Sequence, residues 1–120
     1  MAEVRRLFGS GRNLAGAGSL TVIASTVAGV DSAEADRAVI STESALVVLD
    51  ADLAAAGVTP AINARETRVS NEDQIRGADE LEASRRLRVE LMRLDAYEAS
   101  NLLRDRIEAT QSNAELLESL

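Results

Sequence analysis

Residues 45–63, with the sequence ALVVLDADLAAAGVTPAIN, decide the fold of this chain. The apolar run at 46–49 is bounded by polar residues, which is typical of a strand buried on both faces of a parallel sheet. Asp50 is the expected N-cap of a helical turn over 52–56, which Gly57 ends. Because a strand buried on both faces needs helices to cover it, the stretch predicts an α/β domain.

The residues before this stretch predict two helices and a second strand. A short amphipathic helix with its apolar side chains facing inward is expected over 2–8. Val, Leu and Ile interleaved with Ser and Thr make 19–27 the strongest strand prediction in the chain. A further short helix is expected to begin at Asp31 and to end near Ile40.

The residues after this stretch predict helices alone. One helix is expected to begin with Ser70 as its N-cap, and a longer one with leucines on one face follows Gly77. Asp95 and Ser112 are the expected N-caps of two further helices. The helical part of the chain is therefore expected over 70–120.

The composition excludes several classes of site. The 120 residues carry a net charge of -7, and all 13 cations are arginines, so no lysine is present for a phosphate loop or a Schiff base. Neither His nor Cys occurs, which removes imidazole and thiol catalysis and most zinc sites. The acidic charge repels nucleic acid phosphates. Because no apolar run approaches the roughly 18 residues of a membrane helix and no signal segment is evident, we expect a cytoplasmic protein with no membrane contact.

Four glycines between residues 9 and 18 raise the possibility of a phosphate cradle. A phosphate loop follows a strand and begins a helix, with GxxxxGK[ST] or GxGxxG spacing. These glycines precede a predicted strand and fit neither spacing, so we interpret them as a flexible connection.

Three segments carry a resemblance to a known family. Residues 12–26, RNLAGAGSLTVIAST, resemble the ARN…GGSLTIIAT stretch of the bacterial transcription termination factor Rho. Residues 49–62, LDADLAAAGVTPAI, resemble its LDRKIAERRVFPAI stretch, and 110–113 resemble its T-[KQ]-[TS]-N turn. The second segment alone is also similar to flagellar and rotary motor ATPases, but the C-terminal pattern favours Rho.

This resemblance implies a partial RecA-like parallel sheet followed by a C-terminal helical bundle. It implies a single subdomain over 1–120, strand-rich over 1–69 and helical over 70–120, that corresponds to the C-terminal part of the family's ATPase domain. The family is a ring-shaped, ATP-driven RNA translocase whose phosphate loop, catalytic Glu and magnesium-binding Asp precede the matched part. We therefore expect a truncated or degenerate relative that does not hydrolyse ATP alone. No cofactor is expected on the chain alone, and ATP and Mg²⁺ only where a neighbouring Rho-type subunit completes the site.

The family's RNA-gripping loop, a KGTG segment, has no counterpart in this sequence. The chain runs from Val39 and Ile40 directly through STES at 41–44. We therefore expect contact with RNA only indirectly.

Arg68 is the candidate site residue that the resemblance supplies. The family carries an R…GTR segment after its PAI motif, and the last arginine reaches the neighbouring subunit's nucleotide as an arginine finger. Residues 65–68, RETR, match this segment, so Arg68 is the expected finger and Arg65 the second candidate. Alternatively, Arg68 is a solvated side chain beside Glu66, which competes for the guanidinium.

Two other charged groups also have alternative interpretations. Asp50 and Asp52 suggest a metal or acid–base pair, but no third ligand accompanies them, and helix capping by Asp50 explains the first. The basic cluster on the long helix is interleaved with glutamates, which favours a solvated ion-pair face over a phosphate track. Its members are Arg85, Arg86, Arg88 and Arg93.

Three functional hypotheses follow. The chain belongs to, or docks against, a ring of Rho-type subunits as a homo- or hetero-oligomer and affects transcription termination. Alternatively, it is a non-catalytic interaction or regulatory module, or a degenerate duplicate with no termination activity. An independent enzyme is disfavoured, because the sequence offers no convergent set of ionisable side chains.

Overall fold

The computed structural model of the protein describes residues 2–27 and 33–120. These residues form two compact units, of which the first ends at Ser44 and the second begins at Ala45. Both units combine helices with short strands, so the chain is mixed α/β. The predicted change from strand-rich to helical sequence at 69/70 lies inside the second unit, and the prediction of a single subdomain stays a prediction.

The first unit contains a hairpin between two helices. Its elements are α1 (Ala2–Phe8), β1 (Arg12–Leu14), β2 (Gly18–Leu20) and α2 (Ala33–Ile40). The bounds of α1 are as predicted, but Leu7 is 69% exposed, so the apolar face expected inside is only partly covered. The hairpin is antiparallel, and Gly16, with a φ of +75°, allows the tight turn between its strands. Helix α2 ends where predicted, and the predicted start at Asp31 lies outside the described residues.

The strand predicted over 19–27 is wrong in length. Only its first residues belong to β2, and 21–27 follow without a ladder. The physical reason is the short partner, because β1 has three residues and no other described strand pairs with β2. Ile23 is accordingly 92% exposed and Val27 66% exposed.

The second unit contains one small sheet and five described helices. Its elements are β3 (Ala45–Leu46), α3 (Ala51–Ala55), β4 (Arg68–Val69), α4 (Glu72–Ile75), α5 (Ala78–Leu91), α6 (Ala96–Glu108) and α7 (Asn113–Glu118). Its buried apolar side chains are small and aliphatic: Leu53, Val58, Ala83, Leu91, Ala99, Leu116 and Leu117. The helices of this unit therefore pack around a core of Ala, Val and Leu.

The segment 46–49 is not buried on both faces, which corrects the first prediction. Exposure alternates along it: Leu46 and Val48 are half-buried, whereas Val47 is 60% and Leu49 73% exposed. This alternation is typical of a strand covered on one face. Among the described residues both ladders have two strands and are antiparallel, and a parallel sheet does not form.

The predictions for the helical part are largely confirmed. Asp95 begins α6 with a capping box that its carboxylate forms with Glu98. Ser112 caps α7 by accepting a hydrogen bond from the Glu115 N–H at 3.2 Å. The first helix differs, because it begins at Glu72 with Asn71, not Ser70, at the N-cap position. The described residues contain no helix long and apolar enough to cross a membrane.

Candidate functional site

The two candidate arginines lie on the connection that leads into β4. Arg65 is half-buried in the turn that precedes this strand, and its Nε is buried without a hydrogen-bond partner among the described residues. Arg68 is an exposed residue of β4 and stands opposite Leu46 of β3 in the antiparallel register. The structure therefore brings both arginines to one turn and strand of the second unit.

Asn63 holds the beginning of this turn and is buried, with 5% of its surface exposed. Its Nδ2 donates a hydrogen bond to Oδ2 of Asp50 at 3.0 Å, and its Oδ1 accepts one from the Arg65 N–H at 3.2 Å. Its backbone N–H donates to the Val48 carbonyl at 2.8 Å, and its carbonyl accepts from the Thr67 N–H at 3.0 Å. A buried amide with every group paired fixes the geometry of the chain around it.

Asp50 joins this turn to helix α3. One carboxylate oxygen accepts from the N–H groups of Asp52 and Leu53, at 2.9 and 3.2 Å, which confirms the predicted N-cap. The other oxygen accepts from Asn63. Both oxygens are thus used in hydrogen bonds, which disfavours the alternative of an acid–base pair with Asp52.

The end of the turn is held from helix α5. The Arg88 guanidinium donates to the Thr67 carbonyl at 3.1 Å and to Oε1 of Glu72 at 2.7 Å. The Thr67 hydroxyl in turn accepts from the Val48 N–H at 3.1 Å. These contacts tie the residue before Arg68 both to the 46–49 segment and to the long helix.

Glu66 forms no ion pair with either candidate arginine in the described part of the chain. It is exposed, and within the described ranges it takes part in no ion pair. The proximity in sequence that suggested competition therefore does not produce an ion pair within the described ranges. The identity of Arg68 as an arginine finger stays a prediction.

The basic cluster on α5 divides into two kinds of arginine. Arg88 is engaged by Glu72, whereas the other three members are exposed and make no ion pair with any residue that the structure describes. Glu90, one of the glutamates interleaved with this cluster, accepts hydrogen bonds from both terminal nitrogens of Arg106 on α6, each at 2.8 Å. The two described ion pairs of α5 therefore join this helix to α4 and to α6, and they do not run along its own surface.

The metal-ligand groups and the glycine-rich segment of the described residues bear on the question of a nucleotide site, and the expectation that the chain alone carries no cofactor stays a prediction. In residues 2–27 and 33–120, no three His, Cys, Asp or Glu side chains are grouped so as to hold a metal ion. The glycine-rich segment ends α1 and forms a hairpin, whereas a phosphate loop connects a strand to a helix. The glycine-rich segment therefore lacks the geometry of a phosphate loop.

Sequence reasoning missed Asn63 and the Arg88 contacts. The sequence does contain a hint of the role of Asn63. This residue directly follows the apolar pair 61–62, at a position where a buried side chain is expected. Its partner, Asp50, is 13 positions away, and periodicity within one element cannot show such a pairing. The contact from Arg88 to Thr67 spans 21 positions and depends on how α5 packs.

No protein-family model matches the chain. Comparison with individual curated proteins finds several similar proteins, which are transcription termination factors named Rho. It is 36% identical over 118 residues to transcription termination factor Rho of Streptomyces lividans, a match that covers 94% of this chain and 16% of that protein. The Rho factor of Chromobacterium violaceum is 31% identical over 121 residues, covering 97% and 28%. That of Pseudomonas aeruginosa is 30% identical over 124 residues, covering 100% and 29%.

The chain thus spans between 16% and 29% of the length of these curated relatives. The matched part is the C-terminal part of each relative. This chain is a relative of transcription termination factor Rho, similar to the C-terminal part of that protein.

Proposed function

We propose that this chain acts in the cytoplasm as a partial subunit of a Rho-type ring and thereby affects transcription termination. The observation that carries the proposal is its similarity to Rho factors over 94% to 100% of its length. In this proposal its contribution comes through contacts between subunits.

Each of the two units has exposed apolar side chains that are available for such contacts. Val47 and Leu49 point away from the covered face of their segment, and Ile23 lies in an apolar segment without a ladder. Unpaired edges and apolar patches favour association with another chain. In this proposal the two segments join a RecA-like parallel sheet that is complete only in the assembly.

Arg68 contributes charge to the assembly. Its guanidinium is permanently cationic and can donate two parallel hydrogen bonds to phosphate oxygens. In the ring it faces a nucleotide that the neighbouring Rho-type subunit holds with Mg²⁺, and Arg65 is the second cation of the same turn. ATP and Mg²⁺ thus belong to the neighbour, this chain alone is inactive, and its contact with RNA is indirect.

A second candidate function is a non-catalytic interaction or regulatory module. The exposed apolar residues of 46–49 favour it, because docking through them requires no arginine. Such a module binds a Rho-type ring without changing the chemistry at the nucleotide.

The test compares Arg68→Ala with Arg85→Ala in mixtures with full-length Rho from the same organism. Arg85 is the matched control, since it is an exposed arginine of the same unit with no described ion pair. We expect Arg68→Ala to lower RNA-stimulated turnover about tenfold or more at the sites that the chain completes, as loss of an arginine finger does. Equal turnover with both variants refutes the finger, and binding without any change in turnover favours the second candidate.

A further inference from the structure

We propose that Asn63 is a positioning residue for the turn that carries Arg65 and Arg68. It acts together with Asp50, its hydrogen-bond partner, and with Arg88 at the other end of the turn. The proposal rests on the proposed function of Arg68 for its effect on turnover. Its structural part, the local order of the turn, is tested on the chain alone.

Several hydrogen bonds converge on the buried Asn63. Asn63 forms hydrogen bonds with Val48 in one segment and with Arg65 and Thr67 in the turn, over distances of 2.8 to 3.2 Å. Its side chain also reaches Asp50 at 3.0 Å. Because Asn63 is buried, its hydrogen-bond partners have little water to bond with in its place. Loss of the side-chain amide therefore detaches the beginning of the turn from the rest of the unit.

The hydrogen bond between Asn63 and Asp50 has only one possible direction. The Asp50 carboxylate only accepts, and its other oxygen is already used by the first N–H groups of α3. The donor must therefore come from residue 63, where a carboxamide supplies an N–H₂ group and an aspartate supplies none. Asn63→Asp removes this donor and places a second carboxylate against the first, which is repulsive at such a distance.

The opposite end of the turn is held by Arg88. Arg88 donates to the Thr67 carbonyl and is itself held by Glu72 at 2.7 Å. With both ends fixed, the backbone of Arg65 and Arg68 is ordered before any partner arrives. A side chain on an ordered turn loses less conformational entropy when it engages a phosphate, and it holds its geometry more closely.

The direction of the Asp50 contact allows a rescue experiment. In the double variant Asp50→Asn, Asn63→Asp the donor and the acceptor are exchanged. The new carboxamide at position 50 retains an oxygen for the helix cap and supplies the N–H₂ group, and the new carboxylate at position 63 accepts from it and from Arg65. The matched control is Asn113→Asp, the same change of side chain and charge at an exposed site.

Native-state hydrogen exchange on the full chain reads the order of the turn. We expect Asn63→Asp to raise the exchange rates of the Arg65 and Thr67 amides about tenfold, because both donate to Asn63, while amides of α6 keep their rates. The double variant restores slow exchange, and Asn113→Asp leaves the turn unchanged. Unchanged exchange at Arg65 and Thr67 in Asn63→Asp, or a rise of the same size in α6, overturns the proposal.

RNA-stimulated ATP turnover of the mixed ring distinguishes positioning from a general effect on the fold. If Asn63 acts through Arg68, Asn63→Asp lowers turnover when Arg68 is present and adds nothing in the Arg68→Ala background. An equal loss in both backgrounds overturns the positioning role. If Arg68→Ala itself has no effect, the finger fails as the function of this turn, and hydrogen exchange alone decides whether Asn63 orders it.

Discussion

Replacing Asp50 by Ala is expected to cost far more stability than replacing its neighbour Asp52. The change removes the N-cap of α3, which contributes about 1 kcal/mol in comparable helices. It also leaves Nδ2 of the buried Asn63 without an acceptor, which costs about 1 to 3 kcal/mol. The free energy of unfolding should therefore fall by about 2 to 4 kcal/mol.

Urea unfolding followed by circular dichroism measures this difference. Asp52→Ala is the control, because that side chain is exposed and makes no described hydrogen bond, so its loss should stay within about 0.5 kcal/mol. Asp50→Asn should fall between the two, since it keeps the cap and loses the acceptor for Asn63. Equal destabilisation by Asp50→Ala and Asp52→Ala would show that the contact with Asn63 does not hold the unit together.

Three further substitutions test the packing of the second unit. Ala99→Leu should lower the free energy of unfolding by about 1 to 3 kcal/mol, because Ala99 is fully buried and a larger side chain there must displace its neighbours. An unchanged thermal unfolding transition would contradict this prediction. Gly57→Ala should lower the free energy of unfolding by about 1 kcal/mol, because the φ of Gly57 is +81°. Gly77 has an ordinary φ and open space for a Cβ atom, so Gly77→Ala should lower it by less than half as much in the same assay. Arg106→Ala should lower the free energy of unfolding by about 1 kcal/mol, because this arginine donates two hydrogen bonds to Glu90 and so joins α6 to α5. Arg104→Ala should change it very little, because the ion pairs of Arg104 are exposed. Equal losses in the two variants would contradict this prediction.

Local signals in the sequence predicted much of the second unit. Asp50, Asp95 and Ser112 were recognisable as N-caps because the cap residue and the helix that it begins are adjacent in the chain. Gly57 ends its helical turn with the positive φ that glycine adopts readily. These features depend on a few consecutive residues, so they are visible without the fold.

The strands and the details of the site required the three-dimensional arrangement. An apolar run such as 46–49 predicts a strand but not how many of its faces are covered, since that depends on which elements pack beside it. The arginines of the turn came from a resemblance, whereas their supports, Asn63 and Arg88, act over separations of 13 and 21 residues. Contacts of that length follow from tertiary packing, which no local pattern contains.

The central claim is that this chain joins a Rho-type assembly, and light scattering of the purified chain mixed with full-length Rho from the same organism tests it most directly. We expect a complex whose mass exceeds that of Rho alone, with the chain co-migrating with the ring. A well-folded chain that migrates separately and leaves the mass of Rho unchanged would contradict it, and the similarity to Rho would then reflect common ancestry without a shared assembly.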